Sequence, residues 1–89
     1  MAVRRRVVVH GRVQGVFFRD TTRRRAESLG VAGWAANRPD GTVEVVAEGE
    51  PDAVDRLVDF VRTGPRRADV DDVDINEEEP EGLSGFDVR

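Results

Sequence analysis

Two glycines and an arginine stand between an apolar run and a helical pattern near the start of the chain. The stretch from Gly11 to Arg19 reads Gly-Arg-Val-Gln-Gly-Val-Phe-Phe-Arg and follows Val-Val-Val-His, which is typical of a strand end. Backbone N–H groups of such a loop can bind an anion, and the dipole of the following helix favours negative charge. A tight turn without a ligand is the other interpretation, but Arg19 lies where its guanidinium could close an anion site.

Asn37 is the second residue whose type and position could serve chemistry. It ends a predicted strand directly before Arg-Pro-Asp-Gly, and an Asp-Gly pair between two strands is a strong hairpin signal. If that strand runs back toward the end of the first strand, Asn37 lies near the anion site. A purely turn-forming asparagine is the alternative, because asparagine is common in turns.

The residue inventory restricts the chemistry. The chain contains no cysteine, which excludes disulfides, thiolate catalysis and cysteine-based zinc sites. Its single histidine, His10, has no partners for a zinc or iron site or for a Ser-His-Asp triad. A magnesium site built from carboxylates alone stays open in principle, but we expect no metal and no cofactor.

Length and charge indicate a small domain with a basic half. With 89 residues, one domain spanning 1–89 is the default. The net charge of −4 divides into +7 over residues 1–38 and −11 over residues 39–89. The basic half contains the glycine loop, which fits an anionic small substrate, although the two halves could simply form different surfaces.

Hydropathy gives no sign of a membrane segment. No stretch approaches the roughly 20 apolar residues of a membrane-spanning helix, and the arginine-rich start lacks the apolar region of a signal peptide. We therefore expect a cytoplasmic protein without a membrane partner, and we expect it to be a monomer.

Periodicity predicts strands and helices in the order β-α-β-β-α-β. The first strand covers residues 3–10, and a helix from Phe18 to Leu29 ends at Gly30. Two strands follow at 31–37 and 42–48. A second helix begins at Pro51 and ends before Gly64, with apolar side chains at i, i+3, i+4 and i+7: Val54, Leu57, Val58 and Val61.

The rest of the chain is less regular. Val70, Val73 and Ile75 predict a fourth strand that is bulged or lies at a sheet edge, because two aspartates interrupt it. The residues around Phe86 and Val88 could add a short fifth strand. This order predicts an α+β, ferredoxin-like sandwich: a four-stranded antiparallel sheet with both helices on one face. The fold alone assigns no function.

Two long motifs identify a family. The stretch from Gly11 to Arg19 resembles the first acylphosphatase signature, and Gly33-Trp-Ala-Ala-Asn-Arg-Pro-Asp-Gly-Thr-Val-Glu44 resembles the second. The segment from Gly64 to Val70 is similar to the one that follows the second helix in that family. The resemblance covers essentially the whole chain, in the same order.

The resemblance implies hydrolysis of acyl phosphates to a carboxylate and inorganic phosphate, without a metal and without a covalent intermediate. It places the catalytic arginine at Arg19 and the catalytic asparagine at Asn37. It also places the phosphate-binding backbone amides on the loop residues Arg12, Val13, Gln14, Gly15, Val16 and Phe17. The expected partner is thus a small acyl phosphate, with inorganic phosphate as product and inhibitor. Asp20, directly after the catalytic position, is expected to face solvent or to favour the helix start.

Two other function classes share features with this sequence. RNA-binding domains share the ferredoxin-like fold, but here Phe17 and Phe18 stand at a loop–helix junction instead of alternating along a strand, so we expect no nucleic-acid partner. A non-catalytic domain that binds acyl or carbamoyl phosphate is the other alternative, since acylphosphatase-like domains occur inside hydrogenase-maturation proteins. The sequence shows no zinc-finger or transferase region, which favours the free-standing enzyme.

Overall fold

The computed structural model describes residues 1–89 and contains five strands and two helices. In chain order these are β1 (Val3–Arg12), α1 (Phe18–Leu29), β2 (Ala32–Asn37), β3 (Val43–Gly49), α2 (Pro51–Thr63), β4 (Asp69–Glu78) and β5 (Phe86–Val88). The predicted order is confirmed, and the short fifth strand is present. The fold is the predicted α+β, ferredoxin-like sandwich.

The sheet has the strand order β4-β1-β3-β2-β5. Its first four strands pair antiparallel, as predicted, whereas β5 pairs parallel with β2. Because β1 and β2 both lie antiparallel to β3, they run in the same direction and finish at the same end of the sheet. This topology brings the loop after β1 and the end of β2 together.

The fourth strand is longer than predicted and lies at the edge of the sheet. It is bulged, because His10 pairs with Asp72 while Gly11 pairs with Val70, which leaves Asp71 as the extra residue. Beyond the bulge the pairing continues, so β1 extends two residues past its predicted end. A Cβ on Gly11 would lie 2.1 Å from the carbonyl oxygen of Asp69, so only glycine permits this close approach.

The core lies between one sheet face and the helices. Alternation along the strands directs Val7 and Val9 of β1 toward the helices, and both are fully buried. The apolar stripe of α2 is buried as predicted, and Phe18 and Ala26 anchor α1 on the same core. Burying a Val, Leu or Phe side chain stabilises the folded state by about 1.5–3 kcal/mol. Because Phe18 is both buried and the first residue of α1, its burial helps to determine where this helix begins.

The opposite sheet face holds paired charges. Arg4 donates hydrogen bonds to Glu48 at 2.7 Å and to Glu78 at 2.8 Å, and Arg6 is paired with Glu44 and Glu78. Glu48 also accepts hydrogen bonds from three backbone amides in the loop before β5: those of Glu81, Gly82 and Leu83. These charges therefore tie that loop, and with it β5, to the centre of the sheet.

Neither helix is both long enough and apolar enough to cross a membrane.

Candidate active site

One cavity contains the two side chains singled out from the sequence. It has a volume of about 270 Å³ and lies where β1 and β2 end and α1 begins. Arg19 and Asn37 both line it, although they are 18 positions apart in the chain. The remaining lining residues are Val13, Gly15, Phe17, Phe18, Asp20 and Val88. The cavity is large enough for a small molecule that carries a phosphate group.

The loop between β1 and α1 has a run of backbone donors without protein acceptors. None of the N–H groups of residues 13–17 donates a hydrogen bond within the protein, and neither do those of Phe18, Arg19 and Asp20. The first intrahelical bond of α1 runs from the amide of Thr21 to the carbonyl oxygen of Phe17. Successive free amides at a helix N-terminus form an anion-binding arrangement.

Two left-handed residues shape this loop. Gly15 has φ +74°, and Phe17, the residue before the first helical turn, has φ +61° and ψ +25°. Phe17 is the only residue other than glycine with a positive φ. Such turns change the direction of the chain sharply and allow neighbouring amides to converge on one point.

Gln14 fastens the loop to the β2–β3 hairpin. Its side-chain Nε2 donates to the carbonyl oxygens of Arg38 at 2.8 Å and Thr42 at 2.9 Å. The hairpin is itself held by Asp40, whose Oδ1 accepts from the amide and the hydroxyl of Thr42. These hydrogen bonds hold the pKa of Asp40 below its usual range, and the bond from the hydroxyl has the larger effect. The loop and Asn37 are therefore parts of one hydrogen-bonded unit.

Arg19 lies in the first turn of α1 and is held by Arg89, the residue that follows β5. Its Nη1 donates to the backbone carbonyl oxygen of Arg89 at 2.6 Å, and the guanidinium makes no other hydrogen bond with the protein. An arginine has five N–H donors in a planar fork. The remaining donors can therefore bind an anion while Nη1 fixes the direction of the side chain.

Asn37 ends β2 and pairs there with Val43 of β3. It is exposed, and its side-chain amide makes no hydrogen bond within the protein. An amide offers both a donor and an acceptor, which suits the orientation of a water molecule. The structure thus places a free amide group on the lining of the cavity that also contains Arg19.

The other loop residues named from the sequence divide into two groups. Val13, Gly15 and Phe17 line the cavity, whereas Arg12, Gln14 and Val16 do not. Arg12 belongs to β1 and pairs with Asp69. Val16 packs against the core. Which of the six amides bind phosphate stays a prediction.

Asp20 lies on the cavity lining as well as facing solvent. Its carboxylate is 2.8 Å from Nη2 of Arg23 and 3.2 Å from Nε of Arg24. These two guanidinium groups offset the negative charge that would oppose a bound phosphate. The sequence pattern hides this arrangement, because three consecutive arginines on a helix look like a solvated face.

His10 lies outside the cavity. Its Nε2 is 2.8 Å from Oδ2 of Asp74, across the β1–β4 pair.

Two supporting residues of the site were not predicted from the sequence: Gln14, whose side chain binds the hairpin, and Arg89, whose carbonyl oxygen binds Arg19. The position of Gln14, three residues after Gly11 in a loop, is a signal that could have indicated a side chain that binds neighbouring backbone. The contact of Arg89 with Arg19 has no such signal, because it depends on the parallel pairing of β5 with β2.

Comparisons with known proteins agree with this geometry. The family model for acylphosphatase matches residues 5–88. An acylphosphatase of Rubrobacter xylanophilus is 59% identical over 94% of this chain and 77% of its own length, and that of Haloarcula marismortui is 51% identical over 97% and 94%. The crystal structure of acylphosphatase from Bacillus subtilis superposes with a TM-score of 0.94 at 38% identity, covering 100% of this chain and 99% of that one.

These matches cover 94–100% of this chain and 77–99% of the relatives' own lengths. They favour neither the RNA-binding interpretation nor that of a non-catalytic domain. The likeness extends through both signature motifs and both elements that carry Arg19 and Asn37. The chain belongs to the acylphosphatase family.

Proposed function

We propose that this protein hydrolyses acyl phosphates by direct attack of water, with Arg19 and Asn37 as its catalytic residues. Its family membership makes it a hydrolase of the carboxyl–phosphate bond, releasing a carboxylate and inorganic phosphate. The observation that carries the assignment of residues is the shared cavity. It contains a guanidinium with N–H donors left over beyond its one bond to Arg89, a side-chain amide without a protein partner, and a loop of unpaired N–H groups.

Binding of the phosphoryl group is the first task of the site. The amides of the loop and the guanidinium of Arg19 would donate to the phosphoryl oxygens. Because these donors are fixed before substrate arrives, they also stabilise the charge that develops on those oxygens in the transition state. The bond from Arg19 to Arg89 contributes to this preorganisation by fixing the guanidinium direction.

Asn37 would orient the attacking water in line with the leaving group. The water oxygen forms a bond to phosphorus while the bond from phosphorus to the carboxyl oxygen breaks, and the carboxylate leaves with the electron pair. An amide is no base at neutral pH, so we assign the water proton to a phosphoryl oxygen of the substrate. Inorganic phosphate, which has the same oxygens, should bind as product and as competitive inhibitor.

The leaving group explains why the cavity needs no acid catalyst. A carboxylic acid has a pKa of roughly 4–5, so its carboxylate departs without being protonated. The only histidine lies away from the cavity, against Asp74. The chemistry that remains is positioning and charge stabilisation, which this site is equipped to provide.

Substitution of the two catalytic residues tests the assignment. Arg19→Ala and Asn37→Ala should each lower kcat for benzoyl phosphate by about 10²–10³ while the protein stays folded. Arg56→Ala on α2 and Asn76→Ala on β4, both exposed and outside the cavity, are matched controls that should keep wild-type activity. Assays are run with a chelator, and circular dichroism confirms folding. Full activity in Arg19→Ala or Asn37→Ala would contradict the role given to that residue.

Several expectations about the surroundings of the enzyme stay predictions. We propose that residues 1–89 form one domain, which acts as a monomer in the cytoplasm without a nucleic-acid partner. Sedimentation of the active enzyme, cell fractionation and a salt-dependent RNA-binding assay test these points separately.

A further inference from the structure

Two of the three large apolar side chains that this protein exposes lie at the same cavity. The three are Met1, which is 91% exposed, Phe17 at 73% and Val88 at 40%. Phe17 and Val88 both line the cavity that contains Arg19 and Asn37. Single exposed apolar residues are ordinary on protein surfaces, but a pair that meets at a binding cavity calls for an explanation.

Packing does not explain Phe17. Its neighbour Phe18 is only 2% exposed and belongs to the core, whereas Phe17 contributes to neither the buried core nor the apolar residues that pack against it. Its backbone is also left-handed, with φ +61°, a conformation that is unfavourable for a residue with a Cβ. Glycine would suit that backbone better, so the fold gains nothing evident from a phenyl ring at this position.

Val88 reaches the cavity from a different part of the chain. It belongs to β5, where it pairs with Ala35 of β2, and it directly precedes the carbonyl group that binds Arg19. Apolar side chains from two separate parts of the chain, the loop and β5, therefore line the same cavity as Arg19. The cavity thus combines a polar part, formed by Arg19, Asn37 and the loop amides, with an apolar part.

An acyl phosphate has the same division. Its phosphoryl group is charged and its acyl group is commonly apolar. When the phosphoryl group is bound by the amides and Arg19, the acyl group has the apolar part of the cavity as its available contact. We propose that Phe17 and Val88 form an acyl-binding rim, which favours flat apolar acyl groups such as aroyl over small acyl groups such as acetyl. This inference rests on the proposed function.

The test compares two substrates in the same variants. The ratio of kcat/KM for benzoyl phosphate to that for acetyl phosphate is measured in the wild type, Phe17→Ala, Phe17→Leu and Val88→Ala. We expect Phe17→Ala to lower this ratio about tenfold, because a phenyl contact is lost, and Val88→Ala to lower it by about threefold. Phe17→Leu should retain most of the ratio.

The ratio separates acyl binding from damage to the loop. A distorted loop would lower kcat/KM for both substrates together and would weaken competitive inhibition by phosphate, without changing the ratio. Val8→Ala is the matched control, because Val8 lies on the opposite face of β1 from the core and outside the cavity. It should leave the ratio unchanged.

The outcomes are distinguishable. An unchanged ratio in both Phe17→Ala and Val88→Ala would overturn the acyl-binding rim while leaving the hydrolase intact. Absence of turnover of either substrate by the wild type would instead overturn the proposed function. If Phe17→Ala does not fold, Val88→Ala decides the question, and a ratio equal to that of the wild type in this variant would refute the proposal.

Discussion

Nη1 of Arg19 donates to the backbone carbonyl oxygen of Arg89 across 70 positions of sequence, at 2.6 Å. The acceptor is fixed in turn, because the amide of Arg89 donates to the carbonyl oxygen of Ala35 at 2.8 Å. The side chain of Arg89 lies over the ring of Trp34, 4.4 Å from its centroid. The direction of the Arg19 guanidinium is therefore set by the residue that follows the fifth strand.

Weakening this support should slow catalysis without removing a catalytic group. Arg89→Ala keeps the backbone carbonyl but loses the contact with Trp34. A cation–π contact at an exposed site contributes about 0.5–1 kcal/mol, so kcat should fall roughly two- to fivefold. Steady-state kinetics with benzoyl phosphate measure the effect. Arg67→Ala, an exposed arginine outside the cavity, is the control, and an unchanged kcat in Arg89→Ala would show that β5 holds Arg19 without this contact.

Loss of the Gln14 clamp should loosen the loop between β1 and α1. Gln14→Ala removes two hydrogen bonds to the hairpin, each contributing about 0.5–1.5 kcal/mol, and we expect kcat/KM to fall about tenfold. The inhibition constant for phosphate should rise in parallel, because both depend on the same amides. Gln14→Glu cannot donate and should do no better than alanine. If phosphate binds Gln14→Ala as tightly as wild type, the clamp does not shape the anion site.

Two glycines should respond differently to alanine. Around Gly15 there is open space, so Gly15→Ala meets only the strain of its positive φ, roughly 1–2 kcal/mol in free energy of unfolding. At Gly11 the added Cβ would collide with the backbone of Asp69, and we expect a loss of about 3 kcal/mol or more. Urea denaturation of both variants checks the order. Equal losses would mean that the bulge can open to admit a side chain.

Stability should fall in acid through the charges on the outer face of the sheet. Hydrogen bonds from Arg6 and then from Arg4 lower the pKa of Glu78 from 4.5 to about 2. A lowered pKa in the folded state stabilises the protein above pH 4.5, and this contribution is lost as the pH falls toward 2. Burial raises the pKa of Glu48, but the amide of Glu81 and Arg4 outweigh it, so the net shift is also downward.

Urea midpoints measured at intervals from pH 7 to pH 2 test this assignment. Glu78→Gln should be less stable at pH 7 and should lose less stability between pH 4.5 and pH 2 than the wild type. Glu79→Gln, exposed and without an ion pair, should follow the wild-type curve. A wild-type slope in Glu78→Gln would assign the acid sensitivity to other carboxylates.

Periodicity and turn chemistry were sufficient for most of the architecture. The stripe of α2, the Asp-Gly hairpin and the glycine loop each follow a local rule, and each lies where it was predicted. The proximity of Asn37 to the loop also followed, because the topology makes β1 and β2 parallel. Structural features that depend on neighbouring residues, or on one repeating period, can therefore be deduced from the sequence alone.

The remaining features depend on pairs that are distant in sequence. Arg4 and Glu48 each expose only 4% of their side chains, yet in sequence both look like ordinary surface charges. Their burial is tolerable because each satisfies the other, a condition that no local pattern reveals. The contact of Arg89 with Arg19 could not be predicted for the same reason. The left-handed backbone of Phe17 could not be predicted either, because there the loop overrides the usual preference of phenylalanine for a negative φ.

The two edge strands of the sheet, β4 and β5, have different features that oppose pairing with another molecule. An unpaired strand offers its N–H and C=O groups to any other chain, which is a route to aggregation. On one side the short β5 covers β2 with only three residues. On the other, β4 is kinked by its bulge and has exposed aspartates at 69, 71, 72 and 74. A second molecule that approached β4 with its own β4 would meet like charge. These aspartates, which lie outside the cavity, should therefore help to keep the enzyme dispersed at high concentration.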